Sequence, residues 1–504
     1  MRVCVAVPPV RDFYFTPRRF SALGAKTVCK LLETAGHQVS FCNFPVRGKK
    51  GRGMKLPDGM EYLREFAMPG ERGPLTFFTR YQHFGPSFAE CAEEVVAGEP
   101  ELVLLSSFAF AYADQALELA REIKERRPGV GIAAGGAGVT AFPGYYLGQN
   151  GMGIDCIDLA LVGEAEGAVV EFVERLERAE NLDGLPGLCE GERSVCSRAP
   201  EWTEAGDLDF VWNVSLETSK NLHISTSLSR GCPRKCRFCS NFMAHGRQFR
   251  TVPLERVAKG LEELPMDKPI VLNFEDDNLL LAKDYWLEIL DLCRARFPEI
   301  TFRAENGLDY GLLDEEVVDE LIDRGMERFD LSLGSADLDV LRAERRRGDL
   351  ERLGRVVRRA AARGVPVVTY FICGLEGDSV DTVLGTLLFL AELPTQVGIS
   401  MFYPVPGLPG FTDKRVFEKR PSALCAGSAA WPWTGSLTSA QLVTGFRLAR
   451  FVNLGKRDGL SPEERELVEL CRRERRLYTW VGKERRCVPA PGVDEEMVTS
   501  FFSC

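Results

Sequence analysis

Gly231-Cys232-Pro-Arg-Lys-Cys236-Arg-Phe238-Cys239-Ser240 decides how this chain is read. Its cysteines follow a Cys-x3-Cys-x2-Cys spacing, which packs three thiols into one short loop. Three thiolates can hold three corners of a cubic 4Fe–4S cluster, and a fourth would close it for plain electron transfer. No fourth cysteine lies nearby, so one iron would stay open to a small ligand, and an open position points to catalysis. Structural thiols and a zinc site are the rival readings. Buried free cysteines are common, but rarely three at this density. Structural zinc usually takes two close cysteine pairs, or cysteine pairs with histidines, and the nearest histidine is His245.

The loop sits between a strand signal and a helix signal. From His223 the pattern alternates: strands are expected at 223–228, 270–274, 301–304, 328–333, 365–372 and 398–403. Helices are expected between them at 254–263, 282–296, 314–324, 349–363 and 380–393. Six such repeats make a parallel barrel or partial barrel, whose active site gathers at the carboxyl ends of the strands. The first part of the chain alternates too, with strands at 2–7, 38–42, 102–106, 131–134 and 159–162 and helices at 21–35, 113–127 and up to about 178. Glycines at the strand ends suit a doubly wound open sheet, which binds ligands at its carboxyl edge. Residues 49–86 read as a long insertion or flap. The fold class is therefore α/β: a Rossmann-like doubly wound parallel sheet (1–180), a linker with a small hairpin (181–220), a (βα)6 partial TIM barrel (221–405) and a small α-rich C-terminal cap (406–504).

Composition bounds the function. At 504 residues the chain is too long for one ordinary core. Hydrophobic content of 45% and charged content of 27% are those of an ordinary globular protein. A net charge of −10 argues against general nucleic-acid binding, which needs a basic footprint. The arginines between Arg342 and Arg363 read as the solvated face of a barrel helix. No apolar run reaches the ~18 residues of a membrane span, and the N-terminus reads as a buried strand rather than a signal peptide. Sixteen cysteines without an export signal point to the cytoplasm and mostly free thiols. Cys425, Cys471, Cys487 and Cys504 are too widely spaced to spell a second cluster, and a terminal Cys504 is not a prenylation box.

With Phe238 just before its third cysteine, the triplet resembles that of the radical S-adenosylmethionine (SAM) superfamily. The resemblance covers the whole 223–403 span. It implies that Cys232, Cys236 and Cys239 hold a 4Fe–4S cluster whose open iron is chelated by the amino and carboxylate groups of SAM. Reductive cleavage of SAM then releases a 5′-deoxyadenosyl radical. It further implies SAM contacts from Phe238; from Asp276, Asp277 and Asn278 at the end of the second strand; from Ser332 and Ser335 after the fourth; from Arg347; and from Gly374 in the turn Cys373-Gly374-Leu-Glu376-Gly377. Arg303 and Asn306 are weaker candidates at the same mouth. Gly334 stands where relatives often carry a glutamate, which is a departure.

The N-terminal region resembles the cobalamin (B12)-binding domain attached to one large subgroup of that superfamily. The resemblance rests on the run 22–35, on Gly135-Gly136-Ala-Gly-Val-Thr140 with Pro143, and on Gly163-Glu164. It implies cobalamin contacts from Ser106, Ser107, Gly135, Gly136, Thr140, Gly163 and Glu164. The Asp-x-His-x-x-Gly motif of classical mutases is absent, so no such histidine is expected as a lower ligand.

The expected function is cobalamin-dependent methylation of an unactivated carbon by a radical SAM methyltransferase. One alternative is a non-methylating radical SAM enzyme (C–C bond formation, rearrangement or oxidation) with a vestigial B12-like domain. The other, of a different class, is a non-catalytic iron–sulfur sensor or electron carrier. The expected partners are a small-molecule, lipid or peptide substrate and an external electron donor of the flavodoxin or ferredoxin type.

Overall fold

The computed structural model describes residues 1–503 apart from 18–19, 49–50, 79, 192–194, 197 and 266. Its first sheet is built on Arg2–Val7, which pairs in parallel with Gln38–Asn43 on one side and Leu102–Ser106 on the other. Gly131–Gly135 and Leu159–Leu161 extend the sheet, also in parallel. Among these five strands the spatial order is second, first, third, fourth, fifth, the flavodoxin-like order. Val3–Val7 and Leu102–Leu105 are buried throughout, as expected for parallel strands covered by helices on both faces. The order reverses between the first and third strands and leaves a crevice at their carboxyl ends. The crossover into Leu102–Ser106 runs through a helix, Phe88–Ala97, that the hydrophobic pattern did not reveal. Its start is nonetheless written in the chain: Ser87 and Glu90 form a reciprocal capping box.

The expected hairpin in 181–220 belongs to this sheet rather than to a free linker. Leu188–Glu190 pairs antiparallel with Leu159–Leu161, and Val195–Cys196 pairs with it in turn. Cys189 and Cys196 face each other in that register and are disulfide-bonded; the other described cysteines are free, so the thiols are mostly free, as expected.

The barrel forms from two arcs. Leu222–Thr226, Ile270–Phe274 and Thr301–Arg303 pair in parallel, preceded by an antiparallel edge strand, Asn213–Glu217, inside the span expected as linker. Phe329–Gly334, Val367–Cys373 and Gln396–Met401 form the second arc. Single bridges join the arcs: the Leu308 amide donates to the Asp330 carbonyl at 2.6 Å, and the Ser332 amide to Leu308 at 3.0 Å. Asp314, Asp349 and Ser379 cap the helices Glu315–Asp323, Leu350–Ala362 and Val380–Ala391, fixing where each leaves its loop. The arginines of Leu350–Ala362 and just beyond lie against the neighbouring helix: Arg359 and Arg363 pair with Asp319, and Arg355 with Glu315. They line the barrel's outer wall, as read from the sequence.

One expectation is corrected where the insertion meets the far end of the chain. Residues 49–86 are not a flap. Met60, Leu63, Phe66, Leu75 and Phe77 join the barrel's hydrophobic core. Arg447, on the helix Ser439–Gly455, donates to Glu71 and to the carbonyls of Leu75 and Phe66 in a fully buried cluster. The C-terminal region is α-rich, as expected, and adds one hairpin. Tyr478–Val481 and Arg486–Pro489 form a hairpin that pairs with Glu71–Arg72 of the insertion. Ser439–Gly455 packs on the sixth barrel strand, where Asn453 exchanges two hydrogen bonds with Val397, so this helix is barrel wall. Between strand and helix, the chain crosses to the first domain, where Ser422 bonds Asp114 and Ala111, and Ser428 bonds Asp12. Among the described residues no helix is long and apolar enough to cross a membrane.

Candidate active site between two cavities

The first barrel strand delivers the cysteine loop through a turn that only glycine can make. Gly231 has φ +82°, and a Cβ there would lie 2.1 Å from the Gln248 carbonyl oxygen. Two aspartates at the end of the neighbouring strand tie the loop down. Asp276 accepts from the Leu228 and Ser229 amides at 2.9 and 2.5 Å and from the Ser229 hydroxyl at 2.6 Å. Asp277 accepts from the Gly231 amide at 2.8 Å and from Asn241 at 2.9 Å. One carboxylate thus holds the strand end before the loop, while the other bridges the loop's two ends.

Cys232, Cys236 and Cys239 line one cavity of about 460 Å³ with Phe238, Asp277, Asn278, Ser332, Gly334, Arg346 and Tyr370. No group of three or more His, Cys, Asp or Glu side chains among the described residues is arranged to hold a metal ion. Burial raises the Cys232 thiol and pushes Cys239 up to about 11, so metal binding there must displace protons. Cys425 and Cys471 are buried apart from these, Cys487 is exposed, and Cys504 lies outside the described residues.

The expected SAM residues divide. Phe238, Asp277, Asn278 and Ser332 face this cavity. Asn278 turns its amide nitrogen toward the Cys232 sulfur at 3.9 Å and leaves its buried Oδ1 without a partner. Asp276 is buried behind the loop, and burial pushes its carboxyl up to about 7, so its part is structural. Ser335 is also buried, its hydroxyl accepting from the Asp337 amide at the start of the next short helix. Gly374 lies in a turn closed by Asp378, and its carbonyl accepts from Thr434, away from the cavity. Arg347 points to solvent, and Arg346 occupies the cavity in its place. Arg346 donates to the Ser332 carbonyl and keeps a buried Nε without a partner. In a run of three arginines nothing in the sequence sets the phase. The left-handed backbone of Arg345, φ +53°, is what turns its neighbour inward. The orphaned atoms of Asn278 and Arg346 suit a polar ligand bound beside the thiols.

A second cavity, of about 580 Å³, opens at the carboxyl edge of the first sheet. Gly24, Ala25, Ala133, Ala134, Gly135 and Gly136 make its walls low, and the tilted rings of Phe20 and Phe108 meet beside it with centroids 4.5 Å apart. Gly136 has φ +102°, and a Cβ there would lie 2.6 Å from the Ser107 carbonyl oxygen. Small residues at strand ends leave room for a large planar ring against backbone, so the cradle fits a corrinoid.

Of the expected cobalamin contacts, Ser106, Gly135, Gly136, Gly163 and Glu164 line this cavity. Ser107 does not: it is buried with its hydroxyl 2.7 Å from that of Tyr146. Thr140 accepts from the Gly163 amide at 2.9 Å and braces the neighbouring turn. Glu164 is committed to the barrel. Arg250 grips it with two hydrogen bonds of 2.8 and 2.9 Å, His245 lies at 3.3 Å, and the Thr203 amide donates at 2.8 Å. Arg230, paired with Glu166, stands behind. Burial alone would raise this carboxyl, but the His245 and Arg250 hydrogen bonds, the Arg230 charge and the Thr203 amide together hold it down to about 2. Glu164 is thus the pin between the two domains.

That pin yields a prediction. A depressed carboxyl contributes stability that is present above its ordinary value of 4.5 and lost as pH falls toward about 2. The thermal midpoint, followed by tryptophan fluorescence, should therefore drop across that window, and Glu164→Gln should flatten the drop. Arg250→Ala should cost about 3–5 kcal/mol, because it strands a buried charge. A midpoint unchanged in Arg250→Ala would contradict the pin.

The two cavities share a wall. Glu305 and Asn306, just past the third barrel strand, line both. The Glu305 amide donates to Asn273 at 3.0 Å, and Asn306 donates to the Glu275 carbonyl at 2.8 Å. Glu275 accepts from Ser21 of the first domain at 2.6 Å, which closes the seam. Sequence reading named only Asn306 among these wall residues.

Residues 226–390 match the radical SAM superfamily, and residues 81–173 match the B12 binding domain. The chain is 26% identical to the hopanoid C-3 methylase of Methylococcus capsulatus over 66% of this chain and 65% of that protein. It is 25% identical to the cobalamin-dependent radical SAM methyltransferase TokK of Streptomyces tokunonensis over 66% of this chain and 51% of that protein. It therefore spans less than two thirds of the length of either. The structure of the radical SAM methyltransferase TsrM of Kitasatospora setae, with cobalamin and a 4Fe–4S cluster bound, superposes with a TM-score of 0.58 at 16% identity, over 84% of this chain and 74% of that one. At that identity the likeness is one of fold. The chain thus pairs a radical SAM domain with a B12-binding domain, and the cofactors that these two domains take are a 4Fe–4S cluster with SAM and cobalamin.

Proposed function

We propose that this protein methylates an unactivated carbon of an organic substrate. The observation that carries the reading is the shared wall of Glu305 and Asn306, across which the thiol-lined and the glycine-lined cavities face each other. When bound, the cluster with SAM supplies a carbon-centred radical, and cobalamin supplies a methyl group. The chain binds, aims and shields. Cys232, Cys236 and Cys239 would hold the cluster. Asn278 and Arg346 would offer their unpartnered atoms to SAM, with Ser332 beside them. Ser106, Gly135, Gly136 and Gly163 would floor the corrinoid. Phe402 and Tyr403, just past the sixth strand, line the thiol cavity. Relatives named as methylases of hopanoid and carbapenam carbon skeletons support methylation and leave the substrate of this chain open.

A methylase of this kind uses SAM twice and makes two co-products. Incubated without oxygen with hydroxocobalamin, SAM, a reductant and candidate substrates, the reconstituted protein should release both 5′-deoxyadenosine and S-adenosylhomocysteine. Deoxyadenosine alone would favour a non-methylating radical reaction, and neither product would favour an iron–sulfur carrier.

A further inference from the structure

The polar side chains round the glycine-lined cavity are mostly committed to one another. Arg230 pairs with Glu166, Asp209 with Lys30 at 2.8 Å, and Glu275 accepts from Ser21. The Ser227 hydroxyl donates to the Ser229 carbonyl at 3.1 Å, and the Asn273 side-chain oxygen accepts from the Glu305 amide. His245 is different. It lines the cavity, its Nδ1 lies 3.3 Å from Glu164, and its Nε2 bonds to no described residue. The chain's other histidines, His37, His83 and His223, line neither cavity.

Glu164 fixes which ring nitrogen is free. Its carboxyl is held down to about 2 and can only accept, so the proton of a neutral imidazole sits on Nδ1 and the lone pair on Nε2. The residue is also set in place. His245 ends the short helix Asn241–His245, and Arg250 donates to its carbonyl at 2.6 Å. Gly246 follows with φ +70°, where a Cβ would lie 3.0 Å from the Trp202 ring. A corrinoid carries its N–H donors at the rim, where acetamide and propionamide side chains project from the ring. Gly135 and Gly136 lie at the end of the fourth strand and would meet the ring's face. His245 is held instead to Glu164, just past the fifth strand, at the side of that floor.

We infer that His245 positions the corrinoid, its Nε2 accepting a hydrogen bond from a carboxamide at the ring's rim. The inference rests on the reading of this cavity as the corrinoid site and adds how the ring is oriented. His245 lies six residues past Cys239, so the segment that begins with the cluster thiols would end on the corrinoid and set the two cofactors relative to each other. No bond is made or broken in this role.

The test uses the full-length protein with its cluster reconstituted, at pH 8, and two corrinoids without a nucleotide. Cobinamide keeps amide N–H groups at its rim; heptamethyl cobyrinate carries methyl esters in their place. Affinities are measured by equilibrium dialysis. His245→Phe keeps a ring and removes the acceptor. It should bind cobinamide roughly tenfold more weakly and the ester as well as the wild type does. His245→Gln, whose side-chain oxygen can accept, should recover most of the cobinamide affinity. Should His245→Phe lower the thermal midpoint, His245→Ala takes its place in the same comparison. Equal cobinamide affinity in the wild type and the Phe variant would overturn the inference. So would equal weakening for both corrinoids, which marks a packing defect, or no recovery in His245→Gln. A shift in the visible spectrum of bound cobinamide that His245→Phe abolishes would overturn it too, because Nε2 would then be a cobalt ligand. If the wild type bound no corrinoid at all, the reading of the cavity itself would fail, and the two failures are thereby distinct.

Discussion

Cys236→Ala is expected to abolish SAM cleavage outright. The wild-type protein, reconstituted without oxygen, should be brown and carry about four irons and four sulfides per chain. The variant should carry almost none, and its deoxyadenosine should drop to the blank. Three thiolates are the minimum that fixes a cubic cluster while one iron stays open. Cys236 is the most buried of the three, so no outside ligand can readily replace it. Misfolding is controlled for within the same sample. The glycine-lined cavity takes its glycine floor from the other domain, and Gly231, Asp276 and Asp277 hold the loop by backbone and carboxylate bonds that Ala does not touch. The variant should therefore still retain corrinoid. Loss of iron together with loss of corrinoid would mean a collapsed fold instead.

Gly24→Trp is expected to produce the mirror image: a cluster without a corrinoid. Gly24 lies in the first turn of the helix Leu23–Thr34 and borders the glycine-lined cavity. A Cβ there meets nothing within 4 Å, so the substitution does not strain the protein itself. Gly24 is among the residues that line the space proposed for the ring, and an indole there would compete with it. Overfilling a formed site costs about 1–3 kcal/mol, or roughly ten- to hundredfold in affinity. Gly24→Ala should bind corrinoid normally and be slightly more stable, since Ala is the better helix former. The visible spectrum after gel filtration reads out corrinoid, and iron content with dithionite-driven deoxyadenosine shows that the cluster end is intact. Full corrinoid retention by Gly24→Trp would remove the ring from this cavity.

The parts of this molecule legible from sequence were those in which local chemistry and fold agree. A thiol triplet between a strand and a helix placed the cluster loop, and glycines at strand ends placed the crevice. What stayed hidden was set by long-range packing. Asp276, Asp277 and Asn278 are consecutive, yet the strand's end turns the first inward to the Ser229 backbone, splits the second between two ends of a loop, and gives the third to the cavity. No local pattern distinguishes such roles. Glu164 looked like a ligand contact because it follows Gly163 at a strand end, but its partners Arg250 and His245 come from 80 or more residues away. The helix Ser439–Gly455 looked like part of a cap because it follows an aromatic turn; only its bonds to Val397 reveal it as barrel wall. The insertion at 49–86 looked loose because it lacks periodicity, and it is ordered by Arg447 from the far end of the chain.

The central claim is that two cofactors sit on opposite sides of one thin wall. The most direct measurement is crystallographic, on holoenzyme reconstituted with hydroxocobalamin, with anomalous maps recorded at the iron and cobalt edges. The account predicts an iron peak beside Cys232, Cys236 and Cys239, a cobalt peak over Gly135 and Gly136, and Glu305 with Asn306 between them. Iron bound elsewhere, or cobalt absent from that cradle in a crystal that holds the cluster, would contradict it.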